Sequence, residues 1–489
     1  MNNKIIFTLL AFYLCAGAYA CGEHAAISLT VDTASPAQEI LGFGASGCWW
    51  AQEAGGLPEA QRREIMRLLY DKKDGIGLTI YRHNLGADTL DDPAIGSRWH
   101  RAESMLDTKT GRYDWTRDAS ARRIMREAVD AGAEQVILFV NSPPVSMTIN
   151  GHGRCTKSPD GKPASNLAPE RYGDFAAYLG EITEHFLRVD KLPVVAVSPI
   201  NEPGDPWDRD KQEGCFYTPP QAAGVLKALL AEFKRRGLPV RVEAPENGTW
   251  NEANYFLRTI SRDPVLRAGL TDYCVHSYGE ENGSSAANKR QLREWFDKNW
   301  PGLRLHMSEW VDLVSPGNVN ARMADALPMA RMIIEDITIG GVSTWQWWLA
   351  ASHFKSRDGL VYYDIETHAV APNKRYWVMG QFSRYLPKGS VVLPVSAPSP
   401  DAQVSAMAAR LPDGRVAVVC ANLSEKNMPL NIKFPQNEAW RRQLRALTDE
   451  NNNNNTAAAD AGTLPAKSVV TIIFQQEKSP PAAEIPNLK

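Results

Sequence analysis

The sequence is poor in cysteine, carries no block of like charge and, beyond its first twenty residues, has no long apolar run. Seven cysteines among 489 residues, one of them Cys15 inside the N-terminal apolar stretch, are too few for a disulfide scaffold, and none stands in a CxxC pair of the zinc-binding kind. A net charge of −2, with Lys and Arg spread through helical stretches, leaves no electrostatic footprint for nucleic acid or an anionic membrane. A neutral or weakly charged ligand is expected. None of the nine histidines forms an HxH or HExxH pattern, and His276 and His306 fall on separate apolar runs, so nothing signals a metal centre, and no cofactor is called for. A GxSxG nucleophile elbow is missing, as is any internal repeat. No segment reaches the ~20 apolar residues of a transmembrane helix. Lys4, the apolar stretch Ile5 to Leu14 and Ala18-Tyr19-Ala20 read instead as a signal peptide over residues 1–20. The mature chain is therefore expected to be exported, periplasmic or extracellular, either soluble or lipid-tethered through Cys21. Ala18, where a lipoprotein signal favours Leu, weighs against the tether.

What is present is a long alternation. The chain exceeds one ordinary domain, and 44% hydrophobic residues suffice for a large core. Eight short apolar runs follow one another: Gly42 to Trp50, Ile76 to Leu85, Gln135 to Asn141, Val194 to Asn201, Val240 to Ala244, Tyr273 to Tyr278, Leu303 to Trp310 and Val342 to Trp348. Between them, apolar residues recur at three- and four-residue spacing, as in Arg171 to Leu187 and Met323 to Ile339, and Lys374 to Arg384 supplies an eighth helix. Eight strand–helix units point to a (β/α)8 TIM barrel over residues 41–388. After Gly389 the texture becomes strand and turn, predicting a small β-sandwich over 389–476. Ala26 to Val31 has no helix after it and is expected to join that sandwich from an N-terminal segment, 21–40. Residues 477–489 read as a disordered tail, and a monomer is expected.

Two carboxylates stand where two runs end: Glu202 in Ser198-Pro199-Ile200-Asn201-Glu202-Pro203, and Glu309 in His306-Met307-Ser308-Glu309-Trp310. The C-terminal edge of a parallel barrel is its active-site edge. Paired carboxylates there suit cleavage of a glycosidic bond, one giving a proton to the leaving oxygen and the other serving as nucleophile or base. Glu243, Glu246, Asp205, Asp208 and Glu213 are rivals, mostly expected as loop charges, although Glu246-Asn247-Gly248 lies on the same face and could bind substrate hydroxyls. Gly42-Phe43-Gly44-Ala45-Ser46-Gly47 matches the dinucleotide pattern GxGxxG, but Gly55-Gly56 and Pro58 postpone the helix that the pattern requires. The glycines are better read as making room at a crowded barrel mouth, with Trp49 or Trp50 as a sugar platform and the other in the core. Cys155 and Cys215 fall in loops after consecutive strands and are a candidate disulfide in an exported protein.

The Gly42 to Trp50 run, Asn141-Ser142-Pro143-Pro144, Ser198 to Pro203 and Ser308-Glu309-Trp310, in this order, resemble glycoside hydrolase family 30. The resemblance spans nearly the whole mature chain and implies a polysaccharide or oligosaccharide substrate. It makes Glu202 the general acid/base and Glu309 the nucleophile of a retaining hydrolase. It also makes Asn201 the ligand of the sugar 2-hydroxyl, with Arg82 and Tyr278 holding the nucleophile ionised. Trp310, Trp345, Trp347 and Trp348 crowd the last two strand ends, and one or two of them, Trp310 and Trp347 foremost, are expected on sugar faces. Asn141 is expected among the substrate contacts. The wording around Glu202 (Trp207, Gln212-Glu213-Gly214-Cys215) looks most like the endo-β-1,6-galactanase branch. The β-1,6-glucanase, glucosylceramidase and xylanase branches remain alternatives, as does a non-catalytic glycan-binding lipoprotein.

Overall fold

The computed structural model describes residues 26–477 except 156, 209–211, 280–284, 314–321, 355–358, 398–402, 437 and 458–461. The expected signal peptide, the Cys21 tether and the C-terminal tail lie outside the described residues.

Eight parallel strands occupy the eight apolar runs. In chain order they are Gly42–Ser46, Ile80–Asn84, Gln135–Phe139, Val194–Ser198, Arg241–Val242, Asp272–His276, Arg304–Trp310 and Val342–Ser352. Each pairs with its sequence neighbour, and the eighth pairs with the first. Between the fifth and the sixth the ring closes through single bridges, Glu243 with Asp272 and Asn247 with Val275. Helices alternate with the strands and cover the barrel, as a parallel sheet requires on its outer face. The helix after the fourth strand, Pro219–Arg236, shows how locally these boundaries are written. Thr218 and Gln221 form a capping box, Pro219 and Pro220 open the first turn, and Gly237 (φ +62°) ends it in the left-handed region. Tyr172–Arg188 packs beside it and Met323–Thr338 follows the seventh strand. The eighth helix, Lys374–Ser383, is capped by Asn373.

The side domain is a β-sandwich. Ile27–Val31 runs parallel to Met428–Lys433 and antiparallel to Val395–Ser396 in one sheet. The other sheet holds Ser390–Leu393, Val404–Arg410, Val416–Asn422, Ser468–Gln476 and Trp440–Thr448. In the last of these strands Arg441, Arg442 and Arg445 dilute the apolar pattern to an alternating, half-exposed one. No helix among the described residues is long and apolar enough to cross a membrane.

The glycines of the GxGxxG match serve strand packing. A Cβ on Gly44 would lie 2.6 Å from the Ile80 carbonyl oxygen, and one on Gly47 would lie 2.0 Å from the Tyr81 hydroxyl. A short helix, Trp50–Ala54, does begin soon after them, contrary to the expected delay.

Candidate active site

Glu309 sits near the end of the seventh strand, 4% exposed, and Glu202 just past the fourth. The two face one another: one oxygen of each, with a ring nitrogen of His276, form a group whose atoms all lie within 4.8 Å of one another. Arg82, on the second strand and fully buried, donates from Nη1 to Glu309 Oε2 at 2.6 Å. Its Nη2 reaches Glu246 Oε2 at 2.5 Å and Asn201 Oδ1 at 3.0 Å. The guanidinium lies 3.5 Å from the centre of the Phe139 ring, which fixes its plane. The Tyr278 hydroxyl donates to Glu309 Oε1 at 2.9 Å. The two residues expected beside the nucleophile therefore bond separate oxygens of one carboxylate.

Glu202 adopts φ +43°, a left-handed conformation that costs a side-chain-bearing residue about 1–2 kcal/mol. Its N–H donates to the Glu246 carbonyl at 2.8 Å, and its own carbonyl accepts from Trp207 Nε1 at 3.0 Å, so backbone and indole together hold the acid's aim. Trp207, at φ +49°, is a second such residue in the same turn.

His276 and Glu246 complete the cluster, and sequence reasoning missed both roles. His276 is fully buried, with Nδ1 3.0 Å from Glu202 Oε1 and Nε2 3.1 Å from Glu246 Oε2. Carboxylates face both ring nitrogens, so both must carry protons when those carboxylates are ionised. Burial pulls the imidazole pKa down, but Glu309, Glu202 and Glu246 overcome it and hold it at about 10. Burial likewise pushes Glu246 up, but Arg82 and His276 hold it down at about 2. Burial, reinforced by Glu202 and Glu246, raises Glu309 above the usual carboxylate range against the pull of His276 and Arg82. Two fixed cations thus face three carboxylates. Arg82 and His276 balance two of these three negative charges, those of Glu246 and Glu309. The charge that a metal would bring to Glu202, His276 and Glu309 is already supplied by the protein. A second buried trio, Glu243, Asp272 and His306, is likewise occupied: Asp272 takes hydrogen bonds from Arg304 and His306 and pairs with Arg241.

The barrel mouth opens into a cleft of about 560 Å³ lined by Asn201, Glu202, Tyr278, Glu309 and Trp348, with further residues from the loops after the fourth, fifth and seventh strands. Several expected contacts lie elsewhere. Trp50 is fully buried and donates from Nε1 to the Ser46 carbonyl, and Trp310 and Trp347 are fully buried in a cluster with Trp345. These three indoles have no face to offer a sugar. Trp49, 3% exposed, packs edge-on against Trp348 at 5.4 Å and backs the cleft wall. Asn141 is buried and donates to Asn84 Oδ1 at 3.2 Å, away from the lining. Glu246, considered above as a ligand for hydroxyls, is a buried counter-ion instead. Cys155 and Cys215 are free thiols rather than a bridge, packed side by side, with the Phe216 N–H donating to Cys155 Sγ at 3.2 Å.

The model for O-glycosyl hydrolase family 30 matches residues 26–263 and 270–362, and that for the glycosyl hydrolase family 30 β-sandwich domain matches 389–472. The chain belongs to glycoside hydrolase family 30. Among curated proteins, this family 30 chain is 25% identical over 396 residues to an endo-β-1,6-galactanase of Hypocrea rufa, covering 75% of this chain and 76% of that one. Among solved structures it resembles a conserved exported protein from Bacteroides fragilis (TM-score 0.80, 22% identity, covering 91% of this chain and 100% of the other). It also resembles the catalytic domain of family 30 xylanase C from Talaromyces cellulolyticus (TM-score 0.72, 19% identity, covering 92% and 100%).

Proposed function

We propose that this family 30 glycosidase is an exported, retaining endo-β-1,6-galactanase in which Glu309 is the nucleophile and Glu202 the acid/base. The observation that carries the mechanism is that one oxygen of Glu202 and one of Glu309 lie within 4.8 Å of one another, an approach that favours direct attack by Glu309 over attack by a water held between the pair. Retaining enzymes hold their pair about 5–5.5 Å apart, whereas inverting enzymes leave about 6.5–9.5 Å for a water. In the first step a Glu309 oxygen bonds to the anomeric carbon from below the ring. The glycosidic C–O bond breaks, and the Glu202 proton passes to the departing oxygen. In the second, Glu202 takes a proton from water as that water attacks the same carbon and frees Glu309, restoring the β configuration. Asn201 lines the cleft with its Oδ1 held by Arg82, which leaves its amide N–H free to meet a sugar hydroxyl. Galactan as the substrate is supported by the likeness to the Hypocrea rufa enzyme and by the Trp207 and Gln212 wording beside Glu202.

The test is a panel of β-1,6-galactan, β-1,6-glucan, glucuronoxylan and glucosylceramide, with product length read alongside release. Oligomers from galactan are expected. Cleavage of another member with galactan untouched would overturn the sugar. Full activity in Glu309→Gln or Glu202→Gln, where a loss of at least about a thousandfold is expected, would overturn the mechanism.

A further inference from the structure

A proton from Glu202 reaches only an oxygen on its own side of the cleft. Glu309, Tyr278 and Asn201 line the part of the cleft where a sugar becomes attached to the enzyme, so the departing sugar must lie beyond Glu202. Most of the remaining lining comes from two segments, Gly204 to Trp207 with Gln212 after the fourth strand, and Gly248, Thr249 and Glu252 after the fifth.

One side chain organises both segments. Glu252, in the first turn of the helix Trp250–Ile260, accepts at Oε1 from the Gly204 N–H (2.8 Å) and from Asn247 Nδ2 (3.0 Å). Among the described residues, only the Gly248 N–H donates to its Oε2, at 3.1 Å. A carboxylate oxygen takes two donors, so Oε2 keeps an acceptor position inside the cleft. Burial raises the Glu252 carboxyl pKa, and Glu202 adds to the rise, as a neighbouring acid would. Gly248 lies between the two acids: a Cβ there would stand 3.5 Å from Glu202 Oε1 and 3.5 Å from Glu252 Oε2. Its backbone lies outside the left-handed region, so conformation does not demand glycine at this position. The bare backbone keeps open the space beside the proton donor.

We propose that this is the seat of the leaving sugar, with Glu252 Oε2 accepting a hydrogen bond from one of its hydroxyls and Gly248 forming the floor beneath it. The proposal rests on the reading of Glu202 as proton donor. By microscopic reversibility the same seat holds an acceptor sugar, whose hydroxyl attacks the glycosyl–Glu309 ester while its proton passes to Glu202.

The test compares β-1,6-galactotetraose, which fills the seat, with β-1,6-galactobiosyl fluoride, whose leaving fluoride does not. Glu252→Gln and Gly248→Ala are each expected to lower the ratio of kcat/KM for the tetraose to that for the fluoride by about tenfold or more. They should also divert the glycosyl-enzyme from added methyl β-galactoside toward water. A purely structural Glu252 would lower both rates in proportion, and an unchanged ratio in both variants overturns the proposal. Gly248→Ala removes no hydrogen bond and so keeps the test sound if Glu252→Gln folds poorly. Wild-type protein inert toward both substrates would refute the galactan reading rather than the seat, and the same pair built on whichever panel glycan is cleaved then decides the matter.

Discussion

Replacing Glu246 by Gln keeps its size and removes one charge from a fully buried cluster. In the folded protein its carboxyl is held at about 2 instead of the ordinary 4.5, so at neutral pH its ionised form is favoured by about 3 kcal/mol relative to the unfolded chain. Glu213 is a buried acid too and Glu252 a half-buried one, but neither faces two cations as Glu246 does. Its loss leaves Arg82 and His276 with one carboxylate fewer, and breaking a buried pair costs on the order of 3–5 kcal/mol. A depressed carboxyl contributes its stability above the unfolded pKa of 4.5 and loses it as the pH falls toward 2. His276, raised to about 10, acts in the opposite sense: its contribution is full below 6.5 and disappears as the pH rises through 10. Urea unfolding followed by tryptophan fluorescence should therefore show Glu246→Gln less stable by about 3 kcal/mol near pH 7, with the gap narrowing at about pH 3. A gap under about 0.5 kcal/mol at neutral pH, or one independent of pH, would refute the charge balance drawn here.

Arg82→Lys preserves the charge but not the fork, and one ammonium cannot reach Glu309, Glu246 and Asn201 together. A loss in kcat/KM of roughly a hundred- to a thousandfold with an unchanged circular dichroism spectrum is expected, and near-normal activity would show that the contacts are dispensable. The five described cysteines are free and buried, so iodoacetamide should label none of them in the native protein and Cys155 and Cys215 after unfolding. An intact mass lacking two hydrogens would mean that those neighbours form a disulfide.

The fold was legible because each barrel strand lies in a short apolar run followed by an amphipathic helix, and helices such as Pro219–Arg236 and Lys374–Ser383 carry their caps in the sequence. The nucleophile and acid could be placed because both close such runs. The errors among the tryptophans have a physical source that was also readable. Side chains alternate across a strand, so Trp310 must point away from the face that Glu309 occupies, and Trp345 and Trp347 share a face opposite to Gln346 and Trp348. Trp345 Nε1 indeed bonds Asp336 in the helical layer, while Trp348 lines the cleft. His276 was discounted because a lone histidine carries no spacing signal. Its role depends on Glu202 and Glu246, which lie 74 and 30 positions away and meet it only once the ring has closed. Glu246 was read as a ligand for substrate hydroxyls rather than a counter-ion for the same reason, since the Arg82 that neutralises it stands on a distant strand.

The claim on which the rest depends is that Glu202 and Glu309 act at retaining distance. Proton NMR of β-1,6-galactotetraose during the first minutes of hydrolysis reads this directly from the anomer released. Retention requires that the β-anomer appear first and the α-anomer only later, by mutarotation. Prompt release of the α-anomer would contradict it.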